Sequence, residues 1–110
     1  MIEFCQGTFS EMEDAKEDGI YEMIDYFAAR KKILYVHFRN VSGTVPKFHE
    51  EYINTGYVDM KRAVKIYAKH GYDSFFIDDH VPSAPGDTPW GHRSRAFASG
   101  YIQGLIECTT

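Results

Sequence analysis

Eight residues, Ile33 to Asn40, read ILYVHFRN, and they limit what the chain can fold into more than any other stretch. Rich in β-branched and aromatic residues, the segment predicts a buried strand. Alternation along a strand places Leu34, Val36 and Phe38 on one wholly apolar face, and Tyr35, His37 and Arg39 on the other. An imidazole and a guanidinium therefore arrive together where the strand runs out. That is how a parallel sheet delivers functional groups at its carboxyl end. The plainer reading is an amphipathic strand with a solvated polar face.

The rest of the chain is read around this strand. Ile2 to Cys5 predicts a short first strand, with Ile2 and Phe4 on one face and Glu3 and Cys5 on the other. Gly7 to Gly19 is polar and acidic and predicts a loop or lid. Ile20, Ile24, Phe27 and Ala28 recur at helical spacing and predict a helix over Ile20 to Arg30, with Arg30, Lys31 and Lys32 where cations suit its C-terminus. Val41 to Tyr57, punctuated by Gly43, Pro46 and Gly56, is a long irregular connection of the kind that is often functional. Asp59 predicts an N-cap, Met60, Val64, Tyr67 and Ala68 an apolar stripe, and Gly71 a stop. Ser74 to Asp79 predicts a third strand with Phe75, Ile77 and Asp79 on one face. His80 to Pro89 predicts a loop. Arg93 to Glu107 predicts a last helix, in which Ala96, Gly100 and Gly104 would allow close approach to whatever it covers. The order strand, helix, strand, helix, strand, helix, with strands about 30 to 40 residues apart, is that of consecutive βα units in a parallel α/β sheet.

Composition narrows the function. The chain has 110 residues, 44% of them hydrophobic, with 12 basic and 16 acidic side chains for a net charge of -4. No basic block points to nucleic acid. No apolar run approaches the roughly 20 residues of a membrane helix, and the first residues do not read as a signal peptide. Two cysteines, Cys5 and Cys108, make no disulfide framework, and a reducing cytoplasm is the expectation.

Each strand ends on a potential metal ligand on the same side of its pleat: Cys5, His37 and Asp79. Thiolate, imidazole and carboxylate together suit a borderline divalent ion such as Mn, Fe or Zn. His80 follows at the loop tip, where it can serve as acid or base. Arg39 points toward the same crevice and suits a carboxylate. Each residue also has an ordinary reading: Cys5 as a small core residue, His37 as a hydrogen-bonded strand histidine, Asp78 to His80 as a solvated turn in which Asp78 caps or pairs outside. His49, His70 and His92 read as surface residues.

The segments FCQGTFSEM, YVHFRNVSGT, GYVDM, DDHVP and RAFASGYIQGLIE, running from Phe4 to Glu107, resemble the C-terminal part of the mannonate dehydratase family. The resemblance implies an α/β fold of three consecutive βα units, the C-terminal portion of a (β/α)8 TIM barrel, with residues 1–110 forming one barrel segment. It implies a metal-dependent hydro-lyase that converts D-mannonate to 2-keto-3-deoxy-D-gluconate and water in hexuronate catabolism, with Mn(II) or Fe(II) as cofactor. It implies Cys5, His37 and Asp79 as metal ligands, His80 as a catalytic residue, and Arg39 and Asn40 as substrate contacts. Two departures accompany it. The family's further histidine ligand comes from an earlier strand, and no residue here precedes Met1 to supply it. Its catalytic loop tyrosine has none between Tyr72 and Tyr101, and Trp90 falls near that place. A barrel needs about 250 residues, so the chain is expected to be a fragment. It would need the N-terminal barrel portion or a homo-oligomeric partner, expose Tyr35, Phe75 and Ile77 on an open sheet face, and be inactive alone. The alternatives are a metal-dependent sugar isomerase or epimerase of the same barrel class, or an inactive truncated segment.

Overall fold

The structure, a computed structural model, describes residues 1–109. Three parallel strands lie in the order β1 (Ile2–Cys5), β2 (Ile33–His37), β3 (Phe76–Ile77). Four helices follow them in the chain: α1 (Gln6–Ser10), α2 (Gly19–Ala29), α3 (Met60–Lys69) and α4 (His92–Thr109). The helices α2, α3 and α4 pack side by side over one face of the sheet. Between the layers lie Phe4 and Val36 from the strands, Phe38 just beyond β2, and Ile20, Ile24, Val64, Tyr67, Ala98 and Ile102 from the helices. The expected α/β arrangement with a parallel sheet is present. No helix among the described residues is long and apolar enough to cross a membrane.

The local signals account for most of these elements. Asp59 caps α3 through Oδ1, which accepts from the Arg62 amide at 3.1 Å. Gly71, at φ 70°, ends it in the left-handed region that glycine adopts without strain. The stripe Ile20, Ile24, Ala28 buries α2 as predicted. Beyond its end the Lys31 ammonium donates to the His70 carbonyl, fastening α2 to the end of α3.

Four expectations are corrected. The acidic stretch after Cys5 is no simple loop: α1 starts at once, with the Cys5 sulfur accepting from the Thr8 amide at 3.5 Å, and Glu13–Ala15 form a 3-10 turn. Leu34 is not on the apolar face but half exposed, while Ile33 is buried. The register explains it, because Ile2 pairs with Ile33 and Glu3 with Tyr35, so Leu34 is the extra residue of a bulge. The third strand shrinks to two residues, since its neighbour leaves the sheet after His37, which pairs with Ile77. In α4 the buried stripe is Ser94, Ala98, Ile102, Leu105. Ala96, Gly100 and Gly104 face outward, and a Cβ added at either glycine would meet nothing within 4 Å.

The sheet face away from the helices stands open. Phe75 is 55% and Ile77 36% exposed, and Tyr35 stacks on Phe75 with ring centroids 5.1 Å apart. Phe76 points the other way, into an aromatic cluster with Phe38, Tyr67 and Tyr72.

Candidate metal centre

Cys5 and His37 are the last residues of β1 and β2, paired across the ladder. Asp79 lies two residues beyond β3, held there by Arg95, which donates to the Asp79 carbonyl at 2.7 Å and to the Asp78 carboxylate at 3.0 Å. Asp78 thus pairs away from the centre, as one reading of the sequence had it. The structure brings all three candidate ligands together. Cys5 Sγ is 3.7 Å from Asp79 Oδ2, and His37 Nδ1 is 4.0 Å from the same oxygen. One donor atom from each residue lies within 4.8 Å of the others. Ligand bonds of roughly 2.0–2.3 Å would place donor atoms of one ion about 3–4.5 Å apart, so these residues fit a divalent cation with little movement. All three are partly buried, open enough for an exogenous ligand. Thiol, imidazole and carboxylate are also a donor set that a divalent first-row ion accepts.

His80 sits at the rim. Its side chain is 64% exposed, with Nε2 3.9 Å from Asp79 Oδ1 and Nδ1 3.8 Å from Glu50 Oε2. Together with Glu50, Pro82, Trp90 and Arg95 it lines an open cleft of about 360 Å³ beside the centre. Trp90 carries the Arg95 guanidinium over its ring at 4.2 Å.

Arg39 and Asn40 are not presented to this cleft as free side chains. Arg39 is 7% exposed and makes a two-pronged pair with Glu50, Nε to Oε1 at 2.7 Å and Nη2 to Oε2 at 2.6 Å, with Glu11 on the same Nη2 at 3.1 Å. That geometry is the strongest an arginine and a carboxylate form. The Arg39 hydrogen bond draws the Glu50 carboxyl below its usual range against the opposing effect of burial. Asn40 is buried and spends its whole amide on the connection that follows. Nδ2 donates to the carbonyls of Ile53 and Val58, and Oδ1 accepts from the amides of Val41 and Val58. An amide so used has no donor left for a ligand.

Three residues near the centre were missed. Glu3, on the same strand face as Cys5, pairs with His37, and the i, i+2 alternation alone could have found it. Glu50 and Arg95 lie on an irregular connection and a helix, where no spacing signals contact. Of the histidines read as surface residues, His49 and His92 are exposed, whereas His70 is half-buried and paired with Asp25 at 2.7 Å.

Comparison with known proteins decides the family. The D-mannonate dehydratase (UxuA) family model matches residues 1–110. The chain belongs to that family. Among mannonate dehydratases, the chain is 30% identical to that of Streptococcus suis (strain 05ZYH33) over 112 residues, covering 96% of this chain and 30% of the relative. It is 27% identical to that of Lactococcus lactis subsp. cremoris (strain MG1363) over 114 residues, covering 96% and 31%. It is 29% identical to that of Thermotoga maritima over 117 residues, covering 96% and 30%. The crystal structure of mannonate dehydratase from Streptococcus suis serotype 2 superposes with a TM-score of 0.85 at 28% identity, over 98% of this chain and 32% of that one. The chain therefore spans about a third of the length of the mannonate dehydratases it matches.

Proposed function

We propose that this chain carries the metal-binding and proton-transfer end of a mannonate dehydratase, on three βα units of a (β/α)8 barrel whose other strands complete the fold. The substrate is D-mannonate, which loses water to give 2-keto-3-deoxy-D-gluconate. The observation that carries this reading is the meeting of Cys5, His37 and Asp79 at the carboxyl ends of three parallel strands, in a member of this family.

Cys5, His37 and Asp79 would hold Mn(II) or Fe(II). The bound ion would supply Lewis-acid stabilisation of the negative charge that develops when the proton α to the substrate carboxylate is lost. His80 reaches into the cleft from the residue after Asp79, and it moves one of the two protons the reaction needs: off the α carbon, or onto the departing hydroxyl. Glu50 faces His80 across the rim and is held by Arg39. Arg39 acts through Glu50 in this reading, and Asn40 acts by holding the connection that carries Glu50. The free thiols Cys5 and Cys108 support a reducing, cytoplasmic setting.

The test is a chimera in which residues 1–110 replace the matching third of the Streptococcus suis enzyme, assayed with Mn(II) for 2-keto acid formed from D-mannonate. Turnover is expected, His80→Ala should reduce it about 10²–10⁴-fold, and metal content should stay unchanged. Turnover of ketoses in place of mannonate would favour the isomerase alternative. Loss of metal in His80→Ala would make His80 a ligand and overturn the assignment. The 110-residue chain alone is expected to associate through its open sheet face and to leave mannonate unchanged.

A further inference from the structure

Behind the three candidate ligands lies a second layer. Glu3 Oε1 is 3.0 Å from His37 Nε2, and the other oxygen of the same carboxylate, Oε2, accepts a 2.6 Å hydrogen bond from the Tyr35 hydroxyl. Tyr35 is itself fixed, stacked on Phe75 and packed against the His37 ring at 5.5 Å. Glu3 raises the Tyr35 phenol above its usual range, chiefly through this hydrogen bond. Glu3, Tyr35 and His37 belong to β1 and β2, the better-paired side of the sheet, and Phe75 immediately precedes β3.

A carboxylate only accepts hydrogen bonds, so a neutral His37 is matched to Glu3 when its ring hydrogen is on Nε2, the nitrogen 3.0 Å away. That leaves Nδ1, the nitrogen 4.0 Å from Asp79 Oδ2, with its lone pair toward Cys5 and Asp79. We infer that Glu3, braced by Tyr35, is the positioning residue of the metal centre: it holds His37 with hydrogen on Nε2 and presents Nδ1 to the cation. Neither residue contacts the cation or the substrate. The pair acts through His37, as carboxylates behind ligating histidines do, where loss of the outer partner typically costs 10–100-fold in metal affinity. The inference rests on the reading of Cys5, His37 and Asp79 as ligands, and the experiment separates the two.

Glu3 is exposed within the paired part of β1, so Glu3→Val keeps a residue suited to the sheet, and Glu3→Gln keeps an oxygen acceptor for Nε2. The first measurement needs no metal. The 15N-histidine-labelled 110-residue chain is examined by solution or solid-state NMR, with His37 assigned from His37→Gln. The wild type and Glu3→Gln are expected to show the Nε2–H form, and Glu3→Val a mixture or the Nδ1–H form. The second measurement titrates Co(II) and Mn(II) into the same proteins, following the thiolate-to-cobalt absorption of Cys5. Glu3→Val is expected to weaken binding about 10–100-fold, with Glu3→Gln recovering most of it and Tyr35→Phe falling between. An Nδ1–H form in the wild type, or a tautomer indifferent to Glu3→Val, overturns the positioning role whatever the metal does. A wild type with the Nε2–H form that binds neither ion overturns the metal centre and leaves Glu3 as the group that orients His37. Reduced stability in Glu3→Val with an unchanged tautomer marks Glu3 as a strand-pairing residue only and also overturns the proposal.

Discussion

Asn40→Ala should cost stability far beyond what one polar side chain suggests. The amide of Asn40 is 1% exposed and closes the connection between β2 and α3 from inside. Removing it strands the carbonyls of Ile53 and Val58 and the amides of Val41 and Val58, next to residues that are themselves buried. At about 1–3 kcal/mol for each backbone group left unpaired, and with water satisfying some of them, the loss is about 3–5 kcal/mol. That is a large part of the roughly 5–15 kcal/mol that holds a domain together. In urea, followed by circular dichroism, the midpoint should fall by about 2 M for an m-value of roughly 1–3 kcal/mol/M. Asn40→Asp should do at least as badly, because it keeps the acceptor but turns a carboxylate oxygen toward two carbonyls. Gly56→Ala attacks the same knot from the other side, since an added Cβ would lie 2.1 Å from Asn40 Oδ1 and 2.6 Å from the Val41 carbonyl oxygen. The double variant should therefore lose clearly less than the sum of the two single variants. A midpoint shift below about 0.5 M for Asn40→Ala, at an unchanged m-value, would refute this account and return Asn40 to the ligand-binding role expected from the sequence.

Other perturbations separate site from scaffold. Gly7→Ala would drive a Cβ to within 2.5–2.8 Å of the Arg39 side chain, which its two carboxylates prevent from yielding. Overpacking of about 1–3 kcal/mol is expected in thermal unfolding. Cys5→Ser should abolish the thiolate absorption on Co(II) addition and weaken Mn(II) binding, with little change in the far-ultraviolet spectrum; an unchanged affinity would remove Cys5 from the ligand set. Asp87 is held at about 2 rather than 3.8, chiefly by the Arg93 amide, with the amides of Ser94 and Thr88 and the Ser94 hydroxyl also donating. A depressed carboxylate stabilises the fold fully above its ordinary value and loses that contribution as pH falls toward 2. The stability difference between wild type and Asp87→Asn should therefore be constant from neutral pH to about 4 and close between about 4 and 2; a pH-independent difference would contradict it.

What the sequence made legible was periodic. Alternation identified the faces of β1 and β2 and set Cys5, His37 and Asp79 on one side, and helical spacing found α2, α3 and α4 to within a residue or two at most ends. What it hid depends on contacts without a period. The five residues of α1 are too few to show one, and their cap is a cysteine. The bulge at Leu34 follows from pairing with β1 and cannot be seen in β2 alone. The small residues of α4 resembled a packing stripe, but Ala98 and Ile102 fill that role one face away. Arg39 was read as a substrate contact suited to a carboxylate, and the structure pairs it within the chain instead. Its partner turned out to be Glu50, 11 positions along an irregular segment, which no local rule would find.

Asp79 has a different footing from its two companions. Cys5 and His37 sit on strands joined along their length, whereas Asp79 follows a strand of two residues and relies on Arg95 of α4. Cys5 and Asp79 are 74 positions apart in the chain. A ligand shared between them closes a very large loop, the kind of link that most restricts an unfolded chain. Occupancy of the site is then thermodynamically coupled to the docking of the last helix. Amides of α4 should exchange with solvent more slowly when the site is filled, while those of β1 and β2 change little.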